Sequence, residues 1–94
     1  MFEIYFRPRA LKVLKKIERR EQLKINSALD SLKLGNFSLL DLDKIEGTQH
    51  GYRLRVGRWR ILFALFSKEK RIEVVDIFLR KGKENYRKRR KFLE

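Results

Sequence analysis

The sequence predicts an α+β fold in which a mostly antiparallel, twisted sheet carries a helical hairpin on one face. Two changes of pattern lead to this class. Apolar residues recur at helical spacing between residues 8 and 35, and they alternate as in strands from residue 52 to residue 79. A short apolar segment at the start adds one more strand, and a basic segment after Gly82 adds a short helix. The predicted order of elements is therefore β-α-α-β-β-β-α.

The chain of 94 residues is expected to form a single domain, 1–94. A domain of this size buries only about 60 to 65% of the surface of its unfolded chain, which leaves room for one core and one site. The hydrophobic fraction is 43%, and it includes seven Phe, three Tyr and one Trp. This composition is far from that of disordered chains, so we expect the chain to fold.

The first half of the chain predicts one strand followed by two helices. Residues 2–6 are aromatic or β-branched apart from one glutamate, and Pro8 both stops this strand and suits the first turn of a helix. Apolar residues at helical spacing continue the helix to about Ile17. A second stripe ends at Gly35, a residue typical of helix C-termini. We predict a hairpin of two helices, with one bent helix as the alternative, and an irregular segment at residues 39–47.

The second half of the chain predicts three consecutive strands. Alternating runs at residues 52–56 and 59–66 flank Gly57 and Arg58, and Gly-X between two such runs is the signature of a two-residue type II′ hairpin turn. A polar loop of hairpin length then leads to a mostly apolar strand at residues 71–79. The three strands are expected to form a meander.

Positive charge is concentrated in the second half of the chain. There are 25 Lys/Arg and 12 Asp/Glu, a net charge of +13, and residues 48–94 carry +10 of it. Such a field indicates a polyanionic partner, either a nucleic acid or an acidic protein that shields the charge. The basic segment after Gly82 is predicted to contact a nucleic-acid backbone. The residues expected to do so are Lys83, Arg87, Lys88 and Arg90.

The composition also predicts several absences. Cysteine is absent and His50 is the only histidine, so there are no disulfides and too few soft ligands for a zinc site. We expect neither a metal nor a cofactor. Charges interrupt the apolar N-terminus too early for a signal peptide, and the longest uncharged apolar run, residues 61–66, is far shorter than a membrane span. The expected location is cytoplasmic, with no membrane partner.

Four arginines and one tyrosine are candidates for a single phosphate-binding surface. Because side chains alternate along a strand, Arg53 and Arg55 share one face, and the helices are expected to cover the other face. Arg80 ends the last strand and is expected beside this pair, whereas the side of Arg60 depends on strand register. Tyr86 follows six residues after Arg80, close enough to return over the same face. Guanidinium groups bind phosphate oxygens bidentately, so these residues predict a cleft for a polyanion.

This region resembles a known family. The segments that carry the resemblance are Ile45-Glu46-Gly47, Gly51-Tyr52-Arg53-Leu54-Arg55-Val56-Gly57-Arg58-Trp59-Arg60-Ile61-Leu62-Phe63 and Val74-Val75-Asp76-Ile77, with Arg80 and Tyr86. They are similar to the RelE/ParE superfamily of bacterial and archaeal toxins, whose order of elements also matches, so the similarity spans nearly the whole chain. The Tyr-Arg-x-Arg-x-Gly-x-x-Arg core is specific to the superfamily but not to one activity within it.

The resemblance implies a toxin of a type II toxin–antitoxin system, neutralised by a cognate antitoxin protein. The RelE-like branch is a metal-independent endoribonuclease, or mRNA interferase, that cuts mRNA on the ribosome and so inhibits translation. The implied partners are therefore mRNA, the ribosome and the antitoxin. The residues that match the catalytic positions of this branch are Arg53, Arg55, Arg60, Arg80 and Tyr86.

One departure from the RelE pattern bears on the chemistry. The two basic residues of the first meander strand are often lysine in that branch, whereas here they are Arg53 and Arg55. Arginine stays protonated, with a pKa above about 12, so this pair can neutralise charge but makes a poor base.

The other matching residues suit different steps of RNA cleavage. Arg60 and Arg80 are expected to stabilise the transition state, because a planar guanidinium binds two phosphate oxygens at once. Tyr86 can stack on a base or relay a proton. The general base stays open, and His50 and Glu46 are nearby candidates in the sequence.

Simpler interpretations compete with this one. The two arginines of the first meander strand also suit the solvated face of an edge strand, and the other two suit ion pairs with Asp76 or Glu73. Tyr86 also suits helix packing, and His50 suits an ordinary loop position. At the level of function, the alternatives are a ParE-like inhibitor of DNA gyrase and a non-catalytic RNA-binding relative.

Overall fold

The structure is a computed structural model, and it describes residues 1–80. Its elements in chain order are β1 (Glu3–Phe6), α1 (Pro8–Lys16), α2 (Arg19–Lys33), a short 3-10 helix (Phe37–Leu39), β2 (Asp41–Lys44), β3 (Gly51–Val56), β4 (Trp59–Phe66) and β5 (Arg71–Leu79). The predicted α+β class is confirmed, and the predicted meander corresponds to β3, β4 and β5. The predicted C-terminal helix lies outside the described residues.

The five strands form one mixed sheet in the order β1-β5-β4-β3-β2. β1 runs parallel to β5, and every other neighbouring pair is antiparallel. The helical hairpin carries the chain from β1 at one edge of the sheet to β2 at the other edge. The meander then returns the chain to β5, beside β1.

The helical segment divides into two helices because the backbone is extended at two successive positions. Pro8 occupies the first turn of α1, where its missing N–H costs nothing. Ile17 (φ −80°, ψ 161°) ends α1, and Glu18 (φ −58°, ψ 145°) precedes α2. Gln22 Nε2 donates a 2.8 Å hydrogen bond to the carbonyl oxygen of Leu14 and ties the helices together. The alternative of one bent helix is wrong. No helix within residues 1–80 has the length and apolar character to cross a membrane.

The larger core lies between the helices and the sheet. Leu54, Ile61 and Phe63 of the meander are almost completely buried there, against Ile25 and Leu32 of α2. Each such side chain contributes roughly 1.5–3 kcal/mol to folding relative to leaving it exposed. A smaller buried cluster, consisting of Ile45, Leu62, Ala64 and Val75, is separate from this core. The predicted alternation in β3 is thus correct at Leu54, which lies on the helix side.

We predicted that the segment at residues 39–47 is irregular, but part of it forms a strand. Residues Asp41–Lys44 form β2 and pair antiparallel with β3. Aspartate disfavours strands, and its presence obscured an alternation in which Leu42 packs on the larger core while Asp41 and Asp43 face the other way. The prediction was wrong because backbone pairing with β3, and ion pairs across the two strands, outweigh this low strand propensity.

The turn between β3 and β4 sets the register of the meander. Gly57 has φ 58°, the left-handed conformation required at the first central position of a type II′ turn. A Cβ atom at this position would meet nothing within 4 Å, so backbone conformation and not space calls for glycine. The turn pairs Val56 with Trp59, and the pairing of all preceding residues follows from this step.

Candidate nucleic-acid interface

The register of the meander places three arginines on the sheet face that points away from the helices. Arg55 lies directly opposite Arg60 across the β3–β4 ladder, and Arg53 lies two residues along the same face of β3. The side of Arg60, which the sequence left open, is therefore that of the other two. We call these three residues the arginine face. Like charges directly opposite each other destabilise a sheet, so this arrangement needs compensation.

Arg60 is compensated by the backbone of the hairpin. The residue is only 6% exposed, and its Nη1 donates hydrogen bonds to the carbonyl oxygens of Gly57 (3.0 Å) and Trp59 (2.9 Å). These bonds fix the guanidinium group against the turn. A charged group held in this way needs little reorganisation to receive an anion.

Glu73 and Asp76 are the alternative ion-pair partners suggested for Arg60 and Arg80, and each forms an ion pair with another arginine. Glu73 contacts Arg7 at 3.4 Å and Arg71 at 3.3 Å, and Asp76 contacts Arg9 at 3.7 Å. The alternative that Arg60 or Arg80 pairs with one of these two acids stays a prediction.

Arg80 lies at the same end of the sheet as Arg60. Its backbone N–H donates a 2.8 Å hydrogen bond to the carbonyl oxygen of Arg58 in the hairpin turn, and its side chain is exposed. It follows Leu79, which pairs with Trp59. Arg80 is therefore beside the turn that holds Arg60, and the expectation that its side chain shares the arginine face stays a prediction.

Two aspartates of β2 compensate the remaining arginines. Across the β2–β3 ladder, Asp41 is paired with Arg55 and Asp43 with Arg53. Asp43 Oδ2 lies 2.5 Å from Arg53 Nη2 and 2.7 Å from Arg55 Nη1, while Asp41 Oδ1 lies 3.2 Å from Arg55 Nη1. A single carboxylate oxygen of Asp43 thus contacts two guanidinium groups.

The interpretation that Arg53 and Arg55 lie on the solvated face of an edge strand is wrong, because β3 is flanked by β2 and β4.

The ionisation of Asp43 reflects these contacts. The hydrogen bond from Arg53 lowers the pKa of this carboxyl, and the charges of Arg55 and Arg53 act in the same direction against a partial opposing effect of burial. The carboxylate therefore stays charged at neutral pH. A lowered pKa also makes Asp43 a weak proton acceptor.

Neither candidate for the general base lies with the arginine face. His50 precedes β3, about 17 Å along the strand from Arg55, and its ring packs against Phe66 with the centroids 4.7 Å apart. Together with Tyr52 and Phe66 it lines an open groove of about 400 Å³. Glu46 is exposed in the β2–β3 connection. The general base stays unassigned.

Several predicted site residues fall outside the described part of the chain. They are Tyr86, predicted as catalytic, and Lys83, Arg87, Lys88 and Arg90, predicted to bind RNA. Their roles stay predictions. Within residues 1–80, no group of three or more His, Cys, Asp or Glu side chains is arranged to hold a metal ion.

Comparison with known proteins identifies the fold. No family model and no curated protein matches the sequence. The archaeal RelE–RelB complex from Pyrococcus horikoshii OT3 matches at a TM-score of 0.74 and 21% identity, over 87% of this chain and 98% of that chain. The isolated RelE toxin of E. coli matches at a TM-score of 0.72 and 17% identity, over 98% of both chains. The chain has the fold of the RelE toxins. The RelB–RelE antitoxin–toxin complex from Methanococcus jannaschii also matches, at a TM-score of 0.70 and 25% identity, over 83% of this chain and 92% of that chain.

Within this RelE fold, the two aspartates of β2 contact candidate site residues, and the sequence interpretation missed them. A signal for them exists, because Leu40, Asp41, Leu42 and Asp43 alternate between apolar and acidic residues as in a half-buried strand. The partners of the aspartates could not be read from that alternation. They follow only from the pairing of β2 with β3.

Replacing Asp43 by asparagine should change how stability depends on pH. The pKa of Asp43 is lower in the folded protein than in the unfolded chain, so its ion pairs stabilise the fold fully above the unfolded value, about 3.9. This stabilisation is lost as the pH falls through the lower, folded value. The wild type should therefore exceed Asp43→Asn in free energy of unfolding at neutral pH, and the difference should disappear in strong acid. Urea unfolding across this range is the measurement.

The control for this experiment is Asp30→Asn, which removes the same charge from an exposed position of α2. It should show no comparable pH-dependent difference from the wild type. A constant difference between wild type and Asp43→Asn down to the most acidic conditions would contradict the ion-pair assignment.

Proposed function

We propose that this chain is the toxin of a toxin–antitoxin module and acts as a metal-independent endoribonuclease that cuts mRNA on the ribosome. The observation that carries the proposal is the arginine face, in which Arg55 and Arg60 are directly opposite each other and Arg60 is fixed by two backbone carbonyls. Such concentrated positive charge on a rigid sheet suits a phosphate group. The RelE fold gives this surface its most direct functional parallel.

The proposed reaction is attack by the RNA on itself. The 2′-oxygen of one nucleotide forms a bond with the adjacent phosphorus, and the bond from phosphorus to the 5′-oxygen of the next nucleotide breaks. The proton of the 2′-hydroxyl goes to a base, and the 5′-oxygen takes up a proton as it leaves. The products are a 2′,3′-cyclic phosphate and a 5′-hydroxyl end.

The arginines act on the charge that develops in this step. Extra negative charge forms on the phosphate oxygens in the transition state, and preorganised donors stabilise it more than they stabilise the ground state. Arg60 is held in place before the substrate arrives, so little of its binding energy is lost to ordering. The guanidinium groups supply the positive charge that a metal ion supplies in other nucleases, which is why we propose a reaction without one.

We further propose a cognate antitoxin as the protein partner. Of the three matching structures described above, two are complexes of RelE with RelB, and one of these calls RelB an antitoxin. The net charge of +13 favours an acidic partner, because masking it removes the repulsion within this chain. A small protein with acidic residues and an amphipathic helix fits this requirement, and the proposed site of action is the cytoplasm, where ribosomes are.

Arg55→Ala and Arg80→Ala should slow message cleavage in a cell-free translation reaction. Loss of one preorganised donor commonly reduces a rate about 10²–10³-fold. Lys68→Ala is the matched control, because it removes the same charge from an exposed turn at the opposite end of β4. Its rate should stay close to that of the wild type. The cleavage rate is measured by mapping new RNA ends at ribosome-occupied codons at successive times.

Three results would distinguish the competing functions. If messages stay uncut at a concentration of this protein that stops cell growth, the ribonuclease proposal is wrong. Trapped gyrase–DNA complexes in a supercoiling assay would support the gyrase alternative instead. RNA binding that Arg55→Ala weakens, without any cleavage by the wild type, would support a non-catalytic relative.

The product of the adjacent reading frame should bind this chain and relieve its block of translation. Co-purification of the two proteins, followed by addition of the complex to the same cell-free reaction, tests this. An unrelated acidic protein of equal net charge is the control for simple charge masking. If the neighbour neither binds nor relieves the block, or relieves it no better than the control, the antitoxin proposal is wrong.

A further inference from the structure

One carboxylate oxygen joins two of the three residues of the arginine face. Asp43 Oδ2 contacts Arg53 Nη2 at 2.5 Å and Arg55 Nη1 at 2.7 Å. The two guanidinium groups therefore meet at a single atom. Without that atom, two like charges would stand side by side on one strand face, and their repulsion would favour divergent orientations of two long, flexible side chains.

The contact leaves donors for a substrate. Both described contacts of Arg55 with the aspartates use Nη1. A guanidinium has five N–H donors in a rigid fork, so Nε and Nη2 of Arg55 can still face a phosphate while Asp43 holds the group from the side of β2. Support of this kind, from residues behind those that meet the substrate, is what keeps a site in its productive geometry.

We propose that Asp43 is a positioning residue for RNA cleavage, whose carboxylate holds Arg53 and Arg55 in the arrangement that receives the reacting phosphate. The inference rests on the proposed function, since it concerns the same arginine face. Asp43 does not touch the RNA in this account. It acts through the two arginines.

Asp41 is less suited to this role than Asp43. Its distance from Arg55 Nη1 is 3.2 Å, against 2.7 Å for Asp43, and its side chain is 61% exposed, against 43% for Asp43. Exposed ion pairs of this kind order their partners weakly. Asp41 thus provides a comparison on the same strand with the same charge.

A carboxylate beside a phosphate-binding site has two opposing effects. Its negative charge weakens the attraction of the site for RNA, whereas its hydrogen bonds order the arginines. Removal of Asp43 should therefore tighten RNA binding and slow the reaction at the same time. A residue that only supports the fold would weaken both, and one that acts only through its charge would not slow the reaction.

The test compares Asp43→Asn with the wild type in two measurements. The first is the single-turnover rate of message cleavage on programmed ribosomes, which should fall about 10²-fold, the scale of a small misplacement of reacting groups. The second is the dissociation constant of a short RNA made uncleavable by 2′-O-methyl groups, which should decrease at low salt. Asparagine has the size of aspartate, and thermal unfolding verifies that the variant is folded at the assay temperature.

Two control variants separate positioning from charge. Asp41→Asn should slow cleavage less than Asp43→Asn, and Asp30→Asn, which makes the same charge change on exposed α2, should leave the rate unchanged. A wild-type cleavage rate in folded Asp43→Asn would overturn the inference. So would an equal loss of rate in Asp30→Asn, or a parallel loss of rate and RNA binding in Asp43→Asn.

A readout that needs no cleavage keeps this inference separate from the proposed function. In ¹⁵N NMR spectra, the Nη–Hη signals of Arg53 and Arg55 should exchange with water at least about tenfold faster in Asp43→Asn than in the wild type, because Asp43 contacts Nη2 of Arg53 and Nη1 of Arg55 and these contacts are lost. If the wild type cuts no message, the proposed function fails. If the exchange rates are the same in both proteins, the positioning role of Asp43 fails.

Discussion

Repulsion between like charges is the constraint around which this sheet is arranged. Arg55 and Arg60 face each other across a ladder, and Arg53 is two residues away on the same side. Two devices offset the repulsion: the aspartates of β2 bind the β3 arginines, and the hairpin carbonyls bind Arg60. Selection for stability alone does not favour such a cluster, whereas an anion placed against it relieves the strain. The clustered positive charges that destabilise the fold are thus the groups that bind the phosphate in the proposed activity.

The strand β2 links the architecture of the sheet to this chemistry. It gives β3 a second neighbour, so the arginines stand on a strand that is held from both sides. It also brings Asp43 into register with Arg53, which local sequence cannot do, since the two residues are ten positions apart. This edge strand of only four residues therefore both supports β3 and positions the aspartate that contacts the arginines.

Much of this arrangement could be predicted from the sequence, because it depends on local periodicity. The faces of β3 follow from alternation, and the Gly57 turn implies that Arg55 is opposite Arg60, although we left the side of Arg60 open. What could not be predicted depends on distant contacts: the strand propensity of aspartate is poor, and only pairing with β3 makes Asp41 and Asp43 strand residues. Proximity in sequence also did not identify the general base, because His50 lies at the end of β3 far from Arg55 and packs on Phe66.

The chemical nature of the new RNA ends tests the account most directly. If the arginine face stabilises attack by the internal 2′-hydroxyl, every cut leaves a 2′,3′-cyclic phosphate and a 5′-hydroxyl, and a single 2′-deoxy nucleotide at the scissile position prevents the cut. End-group analysis of a message cleaved on the ribosome by the purified chain measures this. Ends with a 3′-hydroxyl and a 5′-phosphate, or cleavage at the 2′-deoxy position, would contradict the account.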